Sequence, residues 1–335
     1  MNKHDKIVLT GDRPTGRLHL GHYVGSIQNR IKLQDEADQS FYMVADIQAL
    51  TDNASNPDKV SKNVLEVAID NLACGLDPNK TTMFIQSEIP EIAELTILFL
   101  NLVSVARLKR NPTVKDEMKQ KGFGENVPAG FLAYPVSQAA DILFCRSNLI
   151  PVGEDQLPVI EQVNEIVNDF NRLYGKVFEK VTPLTSNIRR LMGIDGNTKM
   201  GKSLGNAIYL SDSYEEIKKK VMSMYTDPNH IHVKDPGKVE GNVVFSYLDI
   251  FDKDKVELEN LKKQYKKGGL GDVVIKNRLA DILEEIIKPI RERRIELEKN
   301  KEEVLEILKK GTEKARKIAK DKMIEIKKAL KINYF

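Results

Sequence analysis

The sequence predicts an α/β protein in which a parallel β sheet with helices on both faces is followed by an all-helical part. Two observations predict this class. Short apolar strand patterns alternate with helical patterns as far as about residue 205, and beyond that point the strand patterns disappear. The chain has 335 residues, of which 41% are hydrophobic, so it is long enough for two domains with a sizeable core.

Four short apolar segments bounded by turn residues predict the strands of the sheet. They cover residues 6–10, 41–45, 81–86 and 148–152. Apolar residues at helical spacing predict helices at residues 22–38, 58–74, 91–105, 130–145 and 154–174. Because strands that alternate with helices generally pair in parallel, we expect one parallel sheet that is covered on both faces.

Only helices are predicted after the glycine-flanked loop at 196–205. Their patterns cover residues 213–224, 242–251, 255–264, 272–300 and 302–331. Ser213 followed three residues later by Glu216 predicts a capping box at the start of the first of them. We therefore place the end of the first domain at about residue 204.

Composition limits the partners of the chain. The net charge is +3, but residues 251–335 carry 24 Lys and Arg against 17 Asp and Glu, whereas the rest of the chain carries 28 against 32. A basic carboxy-terminal part suits a polyanion such as RNA, although a solvated helical surface would look the same. The sequence shows no membrane-spanning apolar run and no signal-peptide pattern, and its two cysteines have no metal-ligand spacing, so we expect a cytoplasmic protein without a metal site of its own.

The turn after the first strand is a candidate nucleotide site. It begins with Gly11 and continues through a Pro-Thr-Gly segment to His19 and His22, at the start of a helix. Ligands bind at the carboxyl edge of parallel sheets, and a helix amino terminus favours phosphate. Two histidines three residues apart are equally consistent with helix capping or a surface position, and they lack the spacing of a zinc motif.

A second candidate lies in the loop Lys199-Met200-Gly201-Lys202-Ser203. Transfer of a phosphoryl or adenylyl group needs cations where charge develops on the leaving pyrophosphate. Two lysines on a loop bounded by Gly196 and Gly205 can supply them, and Ser203 can add a hydroxyl donor. Taken alone, a lysine-rich loop is as easily a solvated surface.

In this order, the His-Leu-Gly-His turn and the Lys-Met-Gly-Lys-Ser loop resemble the two signature motifs of class I aminoacyl-tRNA synthetases. Further segments are similar to tryptophanyl-tRNA synthetases of the diverged bacterial second type. These segments are residues 10–16, Tyr134-Pro135, 139–143, 151–156, 224–227 and 240–242. The resemblance implies a Rossmann-like catalytic domain at residues 1–204 and a helical anticodon-binding domain at 205–311. The last helix, at about 312–335, is expected to pack back on the first domain.

The resemblance also implies roles for individual residues. Those implied in catalysis are His19, His22, Lys199, Lys202 and Ser203. Those implied to hold ATP are Arg13, Pro14, Thr15, Gly21, His22, Lys115, Gly153, Glu154, Asp155, Lys199, Met200, Gly201, Lys202 and Ser203. Those implied to hold tryptophan are Tyr134, Gln138, Asp141 and Gln156, with Asp141 accepting the indole N–H and Tyr134 and Gln156 holding the ammonium group.

The implied reaction is the attachment of L-tryptophan to tRNA(Trp) through a tryptophanyl-adenylate, with ATP and Mg²⁺, by a homodimer. Three departures from the common form bear on it. Gly201 replaces a serine, Gln48 replaces a histidine, and Gln138 replaces a methionine that packs on the indole. Because Gln138 and Gly201 also resemble tyrosyl-tRNA synthetases, that specificity remains an alternative. A small-molecule adenylyltransferase and a synthetase-like protein without catalysis are the others.

Overall fold

The computed structural model describes residues 5–124, 126–185, 191–196 and 200–334, with Ser203 described by its backbone alone. Five parallel strands form one sheet in the order β3-β2-β1-β4-β5. Their bounds are Ile7–Asp12 for β1, Gln39–Val44 for β2, Thr81–Ile85 for β3, Leu149–Val152 for β4 and Thr182–Thr185 for β5. The α/β class expected from the sequence is confirmed.

The strand order places a switch point beside β1. The chain runs outward from β1 to β2 and β3, and then returns to add β4 and β5 on the other side of β1. The crossovers therefore diverge between β1 and β4, which opens a crevice at the carboxyl ends of these two strands. The edge strand β5 was not predicted, and it contains Pro183, a residue that sheets tolerate at an edge.

Fourteen α helices are found among the described residues. The first nine are α1 Leu20–His22, α2 Gln28–Glu36, α3 Asp46–Asn53, α4 Pro57–Cys74, α5 Pro90–Leu100, α6 Val105–Arg110, α7 Pro112–Lys121, α8 Ala129–Leu143 and α9 Leu157–Tyr174. The others are α10 Tyr214–Met222, α11 Val243–Phe251, α12 Lys255–Lys267, α13 Asp272–Lys299 and α14 Lys301–Ala329. None of the described helices is long and apolar enough to cross a membrane.

Several helix boundaries differ from the sequence expectation. The helix expected at 22–38 is divided by a π-helical segment, Tyr23–Ile27. The helix expected at 91–105 ends at Leu100, where Asn101 caps it, and a separate helix begins at Val105 behind a Ser104 cap. Helices α3 and α7 were not predicted. The capping box of Ser213 and Glu216 is present as expected.

The chain forms two compact units. The first joins residues up to Gly16, residues Gln28–Asn187 and residues from Asn300 onward, and it contains the whole sheet. The second joins Arg17–Ile27 to Ile188–Lys299. The histidine turn therefore belongs to the same unit as the described part of the lysine loop.

Within the first unit, α14 lies along β3, the strand at one end of the sheet. A Cβ atom at Gly311 would overlap the carbonyl oxygen of Met83, so helix and strand approach as closely as a glycine allows. The backbone N–H of Ile85 donates to the Thr312 hydroxyl at 3.2 Å. Helix α14 therefore covers a sheet edge that would otherwise present unpaired backbone groups.

Candidate functional site

A cavity of about 400 Å³ opens in the first unit at the carboxyl ends of β1, β2 and β4. Residues from the β1 turn, from α8 and from the segment after β4 line it. Of the site residues expected from the sequence, Arg13, Tyr134, Gln138, Asp141, Gly153 and Gln156 are brought together there. Pro14, Thr15, Lys115, Glu154 and Asp155 belong to the same unit but do not line the cavity.

Gly11 is required by the packing of the sheet. A Cβ atom at this position would lie 2.6 Å from the carbonyl oxygen of Met43 on the neighbouring strand β2. Gly11 therefore allows the close approach of β1 to β2 at the point where it also lines the cavity.

Asp141 lies at the buried end of the cavity, in the last turns of α8, and is 1% exposed. Its two carboxylate oxygens accept hydrogen bonds from Gln48 Nε2 at 2.7 Å and from Gln86 Nε2 at 2.8 Å. Burial and the Asp46 charge together raise the pKa of Asp141 to about 7, against the opposing effect of the two amide donors. Asp141 is therefore a buried hydrogen-bond acceptor whose pKa is close to neutral pH.

The two glutamines are oriented by one further contact. The backbone N–H of Gln48, in the first turn of α3, donates to Gln86 Oε1 at 3.1 Å. Because the oxygen of Gln86 is engaged there, its amide nitrogen is turned towards Asp141. Gln48, whose role was in doubt from the sequence, thus binds the carboxylate directly. Gln86 was missed, although its position directly after a buried strand is where site residues of parallel sheets are found.

A charged cluster forms one wall of the cavity. Arg13 Nη1 and Lys121 Nζ both pair with Asp52, at 2.7 Å and 3.1 Å. Glu117 of α7 and Tyr134 of α8 line the cavity beside them. Burial raises the pKa of Glu117, while the charge of Arg13 and the Tyr134 hydroxyl lower it. The pKa of the Tyr134 hydroxyl is raised by burial and then by Glu117. The sequence analysis missed Glu117 together with its helix.

The segment after β4 is tied to the start of α7. Thr113 Oγ1 donates to the carbonyl oxygen of Asp155 at 2.6 Å, and Asn111, which caps α7, donates to the carbonyl oxygen of Pro158 at 3.2 Å. Gly153 and Gln156 reach the cavity, whereas the side chains of Glu154 and Asp155 are exposed. Lys115, also on α7, is exposed as well.

Asp12, the last residue of β1, is held by a buried polar network. Its Oδ2 accepts from Arg30 Nη1 at 2.8 Å, from the Tyr42 hydroxyl at 3.2 Å and from Asn71 Nδ2 at 3.0 Å. Arg30 also donates to Asn71 Oδ1 and lies over the Tyr42 ring. Because Asp12 precedes Arg13, this network fixes the point at which the chain leaves the sheet.

The second unit brings the two signature segments into contact with each other. The backbone N–H of Gly21 donates to Met200 Sδ at 3.3 Å, and the rings of His19 and His22 lie 3.8 Å apart between centroids. A Cβ atom at Gly21 would lie 3.0 Å from the His19 ring. Burial, followed by the charges of His22 and Lys202, lowers the pKa of His19 to about 2, so His19 is neutral.

Only part of the lysine loop can be described. The backbone N–H of Gly201 donates to Asn206 Oδ1 at 2.9 Å, and Lys202 begins a short 3₁₀ turn that ends at Leu204. Lys199 and the side chain of Ser203 lie outside the described residues. In the described part of the chain, no group of three or more His, Cys, Asp or Glu side chains could hold a metal ion.

Comparison with known proteins agrees with this geometry. A family model described as tRNA synthetases class I (W and Y) matches residues 1–288. A tryptophan–tRNA ligase from Clostridium longisporum is 57% identical over 334 residues, and one from Streptococcus agalactiae is 56% identical over 336 residues. Each alignment covers 98% of this chain and 98% of the relative.

Solved structures with the same fold include two kinds of synthetase. The tryptophanyl-tRNA synthetase of Campylobacter jejuni, complexed with ADP and tryptophan, is 31% identical with a TM-score of 0.85. The comparison covers 97% of this chain and 99% of that one. A tyrosyl-tRNA synthetase from Archaeoglobus fulgidus, complexed with L-tyrosine, is 22% identical with a TM-score of 0.68, a likeness that extends to the fold alone.

Proposed function

Because the chain belongs to the class I tRNA synthetases of tryptophan and tyrosine, and among them to the tryptophanyl-tRNA synthetases, we propose that the cavity of its first unit binds tryptophan for activation. The enzyme is an ATP-dependent aminoacyl-tRNA ligase whose substrates are tryptophan, ATP and tRNA(Trp). The proposal concerns which residues carry out the reaction.

The observation that carries the proposal is the acceptor at the buried end of the cavity. An indole ring is apolar except for its N–H, which loses its water on binding and needs an acceptor. Asp141 supplies one, in a position fixed by Gln48 and Gln86. A site built to pair with an N–H rejects ligands without one, because its own buried acceptor would then be left unpaired.

A tyrosine phenol could donate to the same carboxylate, so hydrogen bonding alone does not exclude the tyrosyl alternative. The relatives do not favour it. Both curated relatives compared above are tryptophan–tRNA ligases that align over 98% of the chain, whereas the tyrosyl-tRNA synthetase compared above is similar in fold alone. The names of the two tryptophan–tRNA ligases also argue against a small-molecule adenylyltransferase. Gln138 lines the cavity in place of the common methionine and would lie beside the indole in this enzyme.

In the proposed reaction, a carboxylate oxygen of tryptophan attacks the α-phosphorus of ATP, and the bond to pyrophosphate breaks. Arg13, Pro14, Thr15, Lys115 and residues 153–155 are proposed to hold ATP from the first unit. A ribose hydroxyl of the terminal tRNA adenosine then attacks the carbonyl carbon of the adenylate, and AMP leaves. No side chain acts as a covalent nucleophile.

The second unit is proposed to stabilise the charge that develops on the leaving pyrophosphate. Lys202 and Lys199 would supply cations and Ser203 a hydroxyl, as such loops do in phosphoryl transfer. Gly21, His22, Met200 and Gly201 would shape the site, with His19 acting as a neutral donor. Mg²⁺ is proposed to arrive on the phosphates of ATP, since the described residues offer no cluster of metal ligands.

Three further parts of the proposal concern assembly. The helices between residues 205 and 311 are proposed to contact the tRNA anticodon, as the resemblance implies. We propose that residues 312–335 belong with the first domain, and the contacts of α14 with β3 support this. We propose a cytoplasmic homodimer, because the family to which the chain is similar works in that form.

The test is amino-acid-dependent ATP–pyrophosphate exchange with each of the twenty amino acids, followed by charging of tRNA. We expect exchange with tryptophan alone. The variant Asp141→Asn should lose most of this exchange, whereas Asp169→Asn, the same change at an exposed site on α9, should retain it. Exchange with tyrosine, or full exchange by Asp141→Asn, would overturn the assignment of the pocket.

A further inference from the structure

The cavity contains more negative charge than recognition of the indole requires. Among the described residues that line it, three are carboxylates, namely Asp12, Glu117 and Asp141. A free amino acid also brings an ammonium group into the cavity. That group gives up water on entry and needs an acceptor, for which an ionised carboxylate is the strongest partner.

Two of the three carboxylates are already committed to protein donors. Asp12 accepts from Arg30, Tyr42 and Asn71. Both oxygens of Asp141 accept from glutamine amides, and its proposed partner is the indole. Neither carboxylate is placed to take a cation without breaking contacts that hold the site together.

Glu117 differs from both. No ion pair to a described residue holds it, and its hydrogen-bonding neighbour is the Tyr134 hydroxyl. Arg13 and Lys121 are the two cations whose charges lower the pKa of Glu117. Both of them form their ion pairs with Asp52 instead. The carboxylate of Glu117 thus faces the cavity with its nearest cations engaged elsewhere, and the Tyr134 hydroxyl is its polar neighbour.

We propose that Glu117 binds the α-ammonium group of tryptophan, with the Tyr134 hydroxyl beside it. This inference rests on the proposed function and deepens it. It adds a counterion that the sequence resemblance did not include, since Tyr134 and Gln156 were the residues implied to hold this group. Asp141 and Glu117 would then bind the two N–H-bearing ends of one substrate, the ring and the ammonium.

The electrostatics of the cavity support the arrangement. Burial raises the pKa of Glu117, because it makes the ionised carboxylate less favourable than that of an exposed glutamate. A bound ammonium ion favours the ionised form and reverses that effect. Glu117 would therefore discriminate in favour of ligands that carry a cation at this position.

The experiment uses two probes that each lack one end of the zwitterion. Tryptamine keeps the ammonium group and lacks the carboxylate, whereas indole-3-propionate keeps the carboxylate and lacks the ammonium group. Each is used as a competitor of tryptophan in pyrophosphate exchange, with Glu117→Gln. We expect the inhibition constant of tryptamine and the KM of tryptophan to rise about 10- to 100-fold. The inhibition constant of indole-3-propionate and the KM of ATP should stay within about twofold of their wild-type values, because Glu117 contacts only the ammonium group.

Asp116→Asn is the matched control, because it removes the same charge from the neighbouring exposed position on α7. Glu117→Asp keeps the charge on a shorter side chain and should recover part of the tryptamine affinity. Three results for Glu117→Gln would overturn the proposal. They are an equal loss of affinity for tryptamine and indole-3-propionate, an unchanged inhibition constant for tryptamine, and a change confined to the KM of ATP.

Failure of the proposed function gives a different result. In that case wild-type protein shows no tryptophan-dependent exchange. Calorimetric titration of tryptamine into wild-type protein and Glu117→Gln does not depend on catalysis, so it tests the ammonium site directly. Equal tryptamine affinity in the two proteins would overturn the ammonium assignment whatever the exchange assay shows.

Discussion

The guanidinium group of Arg30 lies 2.8 Å from the carboxylate of Asp12, and the side chain of Arg30 is only 2% exposed. The pair connects α2 to the last residue of β1, where the chain turns towards Arg13 and the cavity. A buried pair of this kind is costly to break, because removal of one partner leaves the other charge without compensation.

Arg30→Met should therefore destabilise the first unit by about 3–5 kcal/mol. Tyr42→Phe, which removes the hydrogen bonds of the Tyr42 hydroxyl to Asp12 and Asn71 but no charge, should cost about 2 kcal/mol. Arg172→Met breaks an exposed pair with Asp169 on α9 and should cost less than about 1 kcal/mol. Denaturant unfolding measures the free energy of unfolding of the three variants and so tests the predicted order of their losses. An Arg30→Met protein as stable as Arg172→Met would contradict that order.

Gln86→Met should weaken tryptophan binding through Asp141. Without the amide donor, the carboxylate loses one of its two hydrogen bonds, and its pKa rises further above the usual range of aspartate. We expect the KM of tryptophan to rise about tenfold, with the KM of ATP unchanged. Gln34→Met makes the same change at a buried glutamine that binds Gly75 and Asp77 backbone groups. Gln34→Met should lower the stability of the protein and leave the KM values of tryptophan and ATP unchanged.

The pKa of Asp141, about 7, predicts how stability and binding vary with pH. The folded protein holds a proton that the unfolded chain has released above its ordinary value of 3.8. Stability of the ligand-free protein should therefore fall as pH rises from about 4 to about 7, because unfolding releases a proton in this window. Asp141→Asn should remove this part of the pH dependence in thermal unfolding.

Tryptophan affinity should show the opposite trend. The ionised carboxylate is the better acceptor for the indole N–H, so binding should strengthen as pH rises through about 7 and should release a proton. Calorimetry in two buffers of different ionisation enthalpy measures that release. Proton uptake, or an affinity that does not vary between pH 6 and pH 8, would count against Asp141 as the acceptor.

Gly21→Ala tests the contact between the two signature segments. The added Cβ would press on the His19 ring at 3.0 Å and lie 3.5 Å from Met200 Cβ. We expect kcat for exchange to fall about tenfold or more, since small displacements of catalytic groups are costly. Gly25→Ala lies four residues further along, where nothing is within 4 Å of the new atom, and should be neutral.

Lys202→Ala tests the charge assigned to the lysine loop. Adenylate formation should fall far more than tryptophan binding, because the cation is needed only as charge develops on pyrophosphate. Lys219→Ala, an exposed lysine on α10, serves as the control. Intact exchange by Lys202→Ala would show that the loop has been assigned wrongly.

The sequence predicted the elements whose apolar residues are periodic and missed those that lack them. Four of the five strands were found because each contains a run of apolar residues, whereas β5 has four residues, a threonine at each end with Pro183 and Leu184 between them. Helix α7 has two buried residues and five charged ones, so its helical face carries no apolar stripe. Its existence depends on the Asn111 cap and on Thr113, which contacts the segment after β4.

The same physical reason explains which site residues were missed. Motif residues such as His19 and Lys202 are recognisable because their order along the chain is distinctive. Gln86 ends a predicted strand, and Glu117 and Arg30 lie in polar stretches, so no motif marks any of the three as a site residue. Their roles come from burial beside Asp141, beside Tyr134 and beside Asp12, and these neighbours are distant in sequence.

The cover that α14 provides for β3 also sets an order for synthesis on the ribosome. Strand β3 leaves the ribosome more than two hundred residues before Thr312, the residue that binds its free edge at Ile85. Until then the strand remains a template on which a second nascent chain could add a strand of its own. The sheet is therefore protected from such pairing only when translation has passed the second unit, and slow translation between residues 85 and 312 prolongs that exposure.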